Sequence, residues 1–435
     1  MKRRTGRVIE PNQAVSVIRN PNFNRLWSAQ VLSQIAQNLL NFALIIRVFQ
    51  LAQGTRFANI SVALLILSFG VPSIFFAAAA GVYVDHWNKK AVLVVANFLR
   101  AFLVLGYLVF EHNLGMVLLL SFLISSTTQF FAPAEAAAIP ALVTPKQLLR
   151  ANSLFIFTLY ASFIVGYSAS APVIALFGDD GPYVVTSVMF LLAGMLVSWL
   201  PSLHIQERSE VAFKQVVRLT GHEIVRNWRL IRSNHNLSFP ITQLTITQAS
   251  LGVILALAPA LSVAVLGEPI QDASHVLIIP AGIGMVLGVV LIGHLAKRYS
   301  KTRLIAVGLI AAGAGLTMLG LSRLLRHDIH GHPLASGLVI SLLVASLILV
   351  LGLTNALVSA AAQTILQENT TERTRGKVFG ALNMMINIAA TLPIFFAGVL
   401  ADLTSVNTVI GFLGALLLVF ACAQFWWLHR QHMLA

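Results

Sequence analysis

The chain has 435 residues, of which 57% are hydrophobic and only 10% are charged, and its mean hydropathy is +0.83. Soluble domains carry roughly 25% charged residues, so a water-soluble globular fold is excluded and the composition defines an integral membrane protein. A net charge of +14 would suggest nucleic acid in a soluble chain, but here the basic residues fall in short gaps between apolar runs, where membrane topology accounts for them.

Residues 1–25 form a polar tail with Lys2, Arg3, Arg4, Arg7, Arg19 and Arg25. The apolar run after it exceeds a signal-peptide core of about 7 to 15 residues, and no small-residue cleavage pattern follows, so a retained cytoplasmic tail is expected. An apolar run of about 20 residues crosses a bilayer as a helix. Such runs lie near 26–49, 59–82, 91–110, 114–135, 150–177 and 182–200, and again near 239–266, 274–296, 302–323, 335–366, 377–400 and 406–428. The reading is all-α: a bundle over 26–200, a cytoplasmic linker over 201–238, a second bundle over 239–428 and a short cytoplasmic tail over 429–435. The lone Cys422 excludes an intramolecular disulfide and reads as a small buried hydrophobe.

Basic residues test the topology. With the N-terminus inside, only Arg47, Arg56, Arg100, Arg323 and Arg326 of the 29 Lys and Arg fall outside or within spans. That bias supports twelve spans with both termini in the cytoplasm of the inner (plasma) membrane. In the linker, Arg208, Lys214, Arg218, Arg226, Arg229 and Arg232 alternate with apolar positions such as Phe213, Val217, Ile224 and Trp228. This spacing predicts an amphipathic helix lying on the inner membrane surface, its cations against lipid headgroups.

The gap Gly81-Val-Tyr-Val-Asp85-His86-Trp-Asn88-Lys89-Lys90 crowds an acid, a histidine and two lysines into a turn between spans two and three. An echo, Gly293-His-Leu-Ala-Lys297-Arg298-Tyr-Ser-Lys301-Thr-Arg303, occupies the corresponding gap of the second half. Gly-x-x-x-Asp followed by paired basic residues, with a degenerate repeat half a chain later, resembles the loop between helices two and three of the major facilitator superfamily. Asn22-Phe23-x-x-Leu26-Trp27, Pro133 to Val143 with Leu148 to Ser153, and Gln363 to Glu368 with Arg373, Arg375 to Gly380 and Asn383 resemble the branch holding macrolide-type drug effluxers and the enterobactin exporter. The lysophospholipid transporter is a more distant likeness. Where the superfamily loop has Arg and Gly, this chain has His86 and Asn88, and Lys297 stands where the echo's acid would be. Span four also lacks the buried Arg that accompanies proton coupling in many drug antiporters.

The resemblance implies a role for the first loop: Asp85 braces the start of span eleven, near Gly376, in the inward-closed state, with Lys89 and Lys90 beside it. Chemistry agrees, because a carboxylate is stabilised by about 0.3 to 1 kcal/mol at an exposed helix N-terminus.

Substrate contacts are expected from polar residues deep in spans, which must face partners or water rather than lipid. Gln30, Gln34, Gln37, Asn38 and Asn41 line one face of span one. Ser125 and Thr128 follow on span four, Gln243 and Gln248 on span seven, Asn355 and Gln363 on span ten, and Asn383 and Asn387 on span eleven. Interhelical hydrogen bonding is the competing reading for each, and the resemblance implies that spans one, four, seven and ten line the cavity. An amide-lined pocket with no fixed central charge suits an amphipathic or weakly polar substrate.

Two charges fall inside spans: Arg100 at mid-depth in span three and Glu135 near the inner end of span four. They read first as a structural pair, with proton coupling through Glu135 as the alternative. His327-Asp328-Ile-His330-Gly-His332 reads as a solvated outer loop rather than a metal site. Gly282 with Gly284, and Gly308 to Gly315, read as close-packing helix surfaces. No phosphate-binding Gly-Lys-Ser/Thr loop occurs, so ATP-driven transport by this chain is not expected; no cofactor and no nucleic-acid partner is implied. The leading function is an alternating-access antiporter that exports drug-like small molecules as a monomer. A lysophospholipid or lipid transporter is the alternative, and a membrane scaffold or membrane enzyme the weakest, since no paired acids or nucleophile constellation appears.

Overall fold

A computed structural model describes residues 17–144, 147–203, 234–263, 277–296, 298–328, 333–369 and 392–430. The predicted linker helix, Gly376, Asn383, Asn387 and the His330 to His332 segment lie outside the described residues, as does the side chain of Asp85.

Helices form all the regular structure among the described residues. In the first half they are α1 (Pro21–Ala52), α2 (Ala58–His86), α3 (Lys89–Leu105, extended past Gly106 by the single turn Tyr107–Phe110), α4 (Leu114–Leu142), α5 (Leu148–Phe177) and α6 (Gly181–Ser198). The second half has α7 (His235–Leu261), α8 (Ile279–Leu295), α9 (Lys301–Asp328), α10 (Pro333–Glu368), α11 (Leu392–Leu403) and α12 (Val406–Arg430). Among the described residues, 9 helices are long and apolar enough to cross a membrane, and shorter apolar stretches occur at Ala58–Ser73, Ile279–Ile292 and Leu392–Leu403.

Local chemistry sets the helix ends. Asn20 accepts hydrogen bonds from the N–H groups of Asn22 and Phe23, with Pro21 at the first helical position of α1. Asn88 caps α3 by accepting from Lys90 N–H at 3.0 Å, and Asn113 caps α4 by accepting from Met116 N–H at 3.2 Å. Asn88, which stands where the superfamily loop that this one resembles has glycine, thus satisfies a helix start with its side chain. Gly178, at φ 76°, ends α5 in a conformation open to glycine and strained for other residues.

The packing repeats with an offset of six helices. α2 packs on α4 as α8 packs on α10; α3 on α6 as α9 on α12; and α3 on α4 as α9 on α10. A parallel internal repeat of this kind is common in membrane transporters. On α3, Val95, Leu99, Phe102 and Val109 form an exposed apolar stripe, and Phe102 and Val109 are each 73% exposed. The opposite face of α3 buries Asn97 and Arg100. In water that pattern would be inverted, but a bilayer solvates the apolar stripe and leaves the polar groups to find partners inside the bundle.

Helix α8 meets α10 backbone to backbone. A Cβ on Gly284 would fall on the Leu349 carbonyl, and one on Gly352 on the Ala281 carbonyl. Only glycine permits that approach, in keeping with the close-packing role expected of Gly282 and Gly284; Gly282 itself faces Ile164 of α5. Span four runs further than its sequence pattern suggested. Pro133 and Pro140 both sit inside α4, which continues to Leu142, so Glu135 lies well within the helix.

Candidate functional site

The polar row of α1 divides on folding. Gln30 is buried and donates from Nε2 to the Phe155 carbonyl of α5 at 3.4 Å, so it bonds between helices. Asn38 abuts Gly166 of α5, whose missing side chain leaves room for the Asn38 Cβ. Gln37 donates to Asn41 along α1 at 2.9 Å, while Gln34, Gln37, Asn38 and Asn41 stay half-buried. Deep in α1, the Gln37 Oε1 has no hydrogen-bond partner.

On α4, Ser125 donates to the Phe69 carbonyl of α2 at 2.6 Å, and Thr128 donates to its own helix at Ile124 O, 3.0 Å. Ser125 is therefore engaged between helices. Gln243 of α7 is fully buried with both amide atoms unpartnered, a state that calls for a water or a solute. Gln248, Asn355 and Gln363 are half-buried. Asn355, Thr247, Ser250 and Thr354 supply the polar edge of an otherwise apolar cavity of about 60 Å³ between α7, α8, α9 and α10. Ligand sites for drug-sized molecules measure about 300 to 1,000 Å³, so in this conformation the cavity has room for a few waters and must widen for Asn355 to meet a drug.

The two intramembrane charges are electrostatic neighbours, but other groups make the direct contacts to Arg100. Arg100 is buried, its guanidinium 4.3 Å from the Phe131 ring centroid and 4.5 Å from that of Phe190. Its Nη2 donates to Asn97 Oδ1 at 2.8 Å and its Nε to the Ala96 carbonyl at 3.2 Å. Asn97 Oδ1 also accepts from Ser33 Oγ of α1 at 2.9 Å. Glu135 is 8% exposed, and its buried Oε1 has no hydrogen-bond partner. Two aromatic faces, an amide and a carbonyl thus make the direct contacts to Arg100, while Glu135 acts on it electrostatically without a hydrogen bond between them. Sequence reasoning missed Asn97, although its i−3 position from Arg100 on the buried face of α3 was a readable signal.

At the predicted cytoplasmic face, the turn between α2 and α3 is tied to α6 and to the segment after it. Lys89 N–H donates to the Leu203 carbonyl at 3.4 Å, and Asn88 Nδ2 donates to Ser202 Oγ at 3.1 Å. Arg25 donates to the Trp199 carbonyl at 3.0 Å and Asn20 to the Leu142 carbonyl at 2.8 Å. Lys89, placed beside Asp85 in the sequence reading, is 1% exposed. Lys90 is half-buried.

Charged groups make several contacts at the other face. Arg47 of α1 pairs with Glu111 at 2.6 Å. Asp402, in the last turn of α11, accepts from Asn59 N–H at 3.1 Å, Asn59 Nδ2 at 2.7 Å and Ile60 N–H at 2.8 Å. Asp402 carried no role in the sequence reading, yet an anion at the negative end of its own helix is disfavoured, which signals a positive partner nearby.

Among the described residues, twelve largely apolar helices in two repeats of six, with polar groups turned inward, define a multi-pass membrane transporter. The chain belongs to the Major Facilitator Superfamily, whose sequence profile matches residues 26–331 and 281–433. It is 23% identical over 392 residues to macrolide efflux protein A of Streptococcus pyogenes, covering 88% of this chain and 90% of that one. A B. subtilis relative, the uncharacterized MFS-type transporter YkuC, is 28% identical over 191 residues, 42% of each chain. The nucleoside transporter NupG matches with TM-score 0.70 at 14% identity, covering 92% of this chain and 98% of that one. A bacterial homolog of the lysosomal transporter Spinster, solved inward-facing and unoccupied, matches with TM-score 0.71 at 11% identity, covering 97% and 98%.

Proposed function

We propose that the chain is a secondary exporter of amphipathic, drug-like small molecules, working by alternating access in the plasma membrane with both termini in the cytoplasm. The observation that carries this reading is the near end-to-end similarity to macrolide efflux protein A. The half-buried amides Gln34, Gln37, Asn38, Asn41, Gln248, Asn355 and Gln363, with no fixed charge among them, support a weakly polar substrate held by hydrogen bonds and apolar contact. Gln30 and Ser125 hold helices together, and Thr128 bonds its own helix.

Export against a gradient needs a coupled ion. We place proton coupling at Glu135, because its buried Oε1 lacks a donor while Arg100 nearby is satisfied by other groups. The deciding experiment pairs two assays on the same protein. Expression in a drug-sensitive cell lowers accumulation of macrolides or similar amphiphiles if the reading holds. Movement of headgroup-labelled lysolipid in proteoliposomes, with drug accumulation unchanged, would replace export of drugs by lipid transport.

A further inference from the structure

Three hydrogen bonds cross from the first six helices to the second six at Asp402. Its carboxylate sits on the first turn of α2, where backbone N–H groups have no partner within their own helix. Two of its donors are those backbone groups, and the third is the side-chain amide of Asn59. Asn59 is 8% exposed and its Oδ1 is left without a partner, so its amide nitrogen is committed to Asp402. One helical turn back on α11, a Cβ on Gly398 would lie 2.8 Å from the Asn59 carbonyl and 2.8 Å from the Ala63 Cβ. The two helices therefore touch backbone to backbone beside the carboxylate.

We propose that Asp402 is a gating residue: its carboxylate latches α11 onto the start of α2 and holds the predicted outer face of the transporter closed. Gly398 lets the helices come close enough, and the charge supplies the directional bonds. The end of α11 repels an anion and the start of α2 attracts one, so the carboxylate is stabilised only while the two helices are together. When the halves separate at this face, three donors and the carboxylate must all find water. The latch thus favours the state open at the other face, and its strength sets how readily the outer face opens during a transport cycle.

The inference rests on the alternating-access reading and not on the identity of the substrate. It is tested on the full-length protein in nanodiscs, in a Cys422→Ser background, with spin labels at Arg56 and Thr404, both exposed at the latched face. A second labelled pair, Thr144 and Asn369, both exposed, reports the opposite face. Asp402→Ala and Asp402→Asn are expected to raise the long-distance population of the first pair about three- to tenfold and to shorten the second pair. Asn59→Ala, which keeps the backbone donors, should give a smaller shift in the same sense, and Asp402→Glu should restore part of the closed population. If Asp402→Ala yields no folded protein, Asp402→Asn and Asn59→Ala decide the matter. Unchanged distances in folded Asp402→Asn, or equal broadening of both pairs, would overturn the latch. The distances need no substrate, so absence of drug efflux from the parent protein would count against export alone.

Discussion

Arg100 on α3 and Glu135 on α4 share the interior of the first six helices and interact electrostatically, yet the direct contacts of the guanidinium go to Asn97, the Ala96 carbonyl and two phenyl rings. Removing one partner of a true buried pair costs about 3 to 5 kcal/mol, because the other charge is stranded. Here Arg100 keeps Asn97, Ala96 O and two phenyl faces when Glu135 changes. Glu135→Gln is therefore expected to preserve yield and to shift unfolding free energy by less than about 1 kcal/mol. Transport driven by a pH gradient should be lost while substrate exchange continues, since exchange needs gates and a cavity but no net proton movement. Loss of folded protein would restore the structural-pair reading.

Asn97 connects α1 to Arg100 through one oxygen that accepts from both Ser33 and the guanidinium. Asn97→Leu removes that acceptor and leaves charged donors unsatisfied in an apolar interior. Hydrogen bonds to charged groups contribute about 1.5 to 3 kcal/mol, and a drop of that size in unfolding free energy is expected in detergent. Ser33→Ala, which leaves Asn97 bonded to Arg100, should cost no more than about 1 kcal/mol.

The α8 and α10 helices allow no side chain at Gly284, whose Cβ would overlap the Leu349 carbonyl. Gly284→Ala must push the helices apart, and overpacking of this sort costs about 1 to 3 kcal/mol. Thermal unfolding of the variant should begin at lower temperature, with substrate exchange weakened in proportion to folded protein.

Amides assigned to substrate should behave differently from amides and hydroxyls assigned to packing. Gln34→Ala, Gln37→Ala and Asn355→Leu are expected to change which drugs are exported, with unfolding temperatures little altered. Ser125→Ala breaks the bond to the Phe69 carbonyl and should cost about 0.6 kcal/mol, the average for interhelical bonds in membranes, with the drug profile retained. Identical effects of both groups on efflux and on stability would remove the distinction.

The gate proposed at Asp85 acts at the opposite face from Asp402. If both carboxylates brace α2 and α11, Asp85→Asn opens the cytoplasmic side and Asp402→Asn the outer side. Reporter cysteines at the cytoplasmic mouth should label faster in Asp85→Asn and slower in Asp402→Asn, and labelling that moves the same way in both would exclude opposed gates.

Membrane character and an all-helical, many-span fold were legible in the sequence because apolar length is a local property of a chain in a bilayer, and Lys/Arg position supplied the expected orientation. The loop from Gly81 to Lys90 and the effluxer-like motifs likewise pointed to the family before any coordinates. The partners of each polar group could not be read this way. Gln30, Gln34 and Asn41 share one row of α1, yet only the rotation of α1 against α5 sends Gln30 to the Phe155 carbonyl. Arg100 and Glu135 lie on adjacent spans with opposite charge, which suggested that they interact; that the guanidinium would sit against Phe131 and Phe190 was not readable. Asp402 and Asn59 are 343 residues apart, and no periodicity links them. Their contact exists because two antiparallel helices meet where glycine removes a side chain and a free helix start meets a carboxylate. Hydrophobic length is written along one dimension, whereas hydrogen-bond partnership depends on helix rotation and register in three.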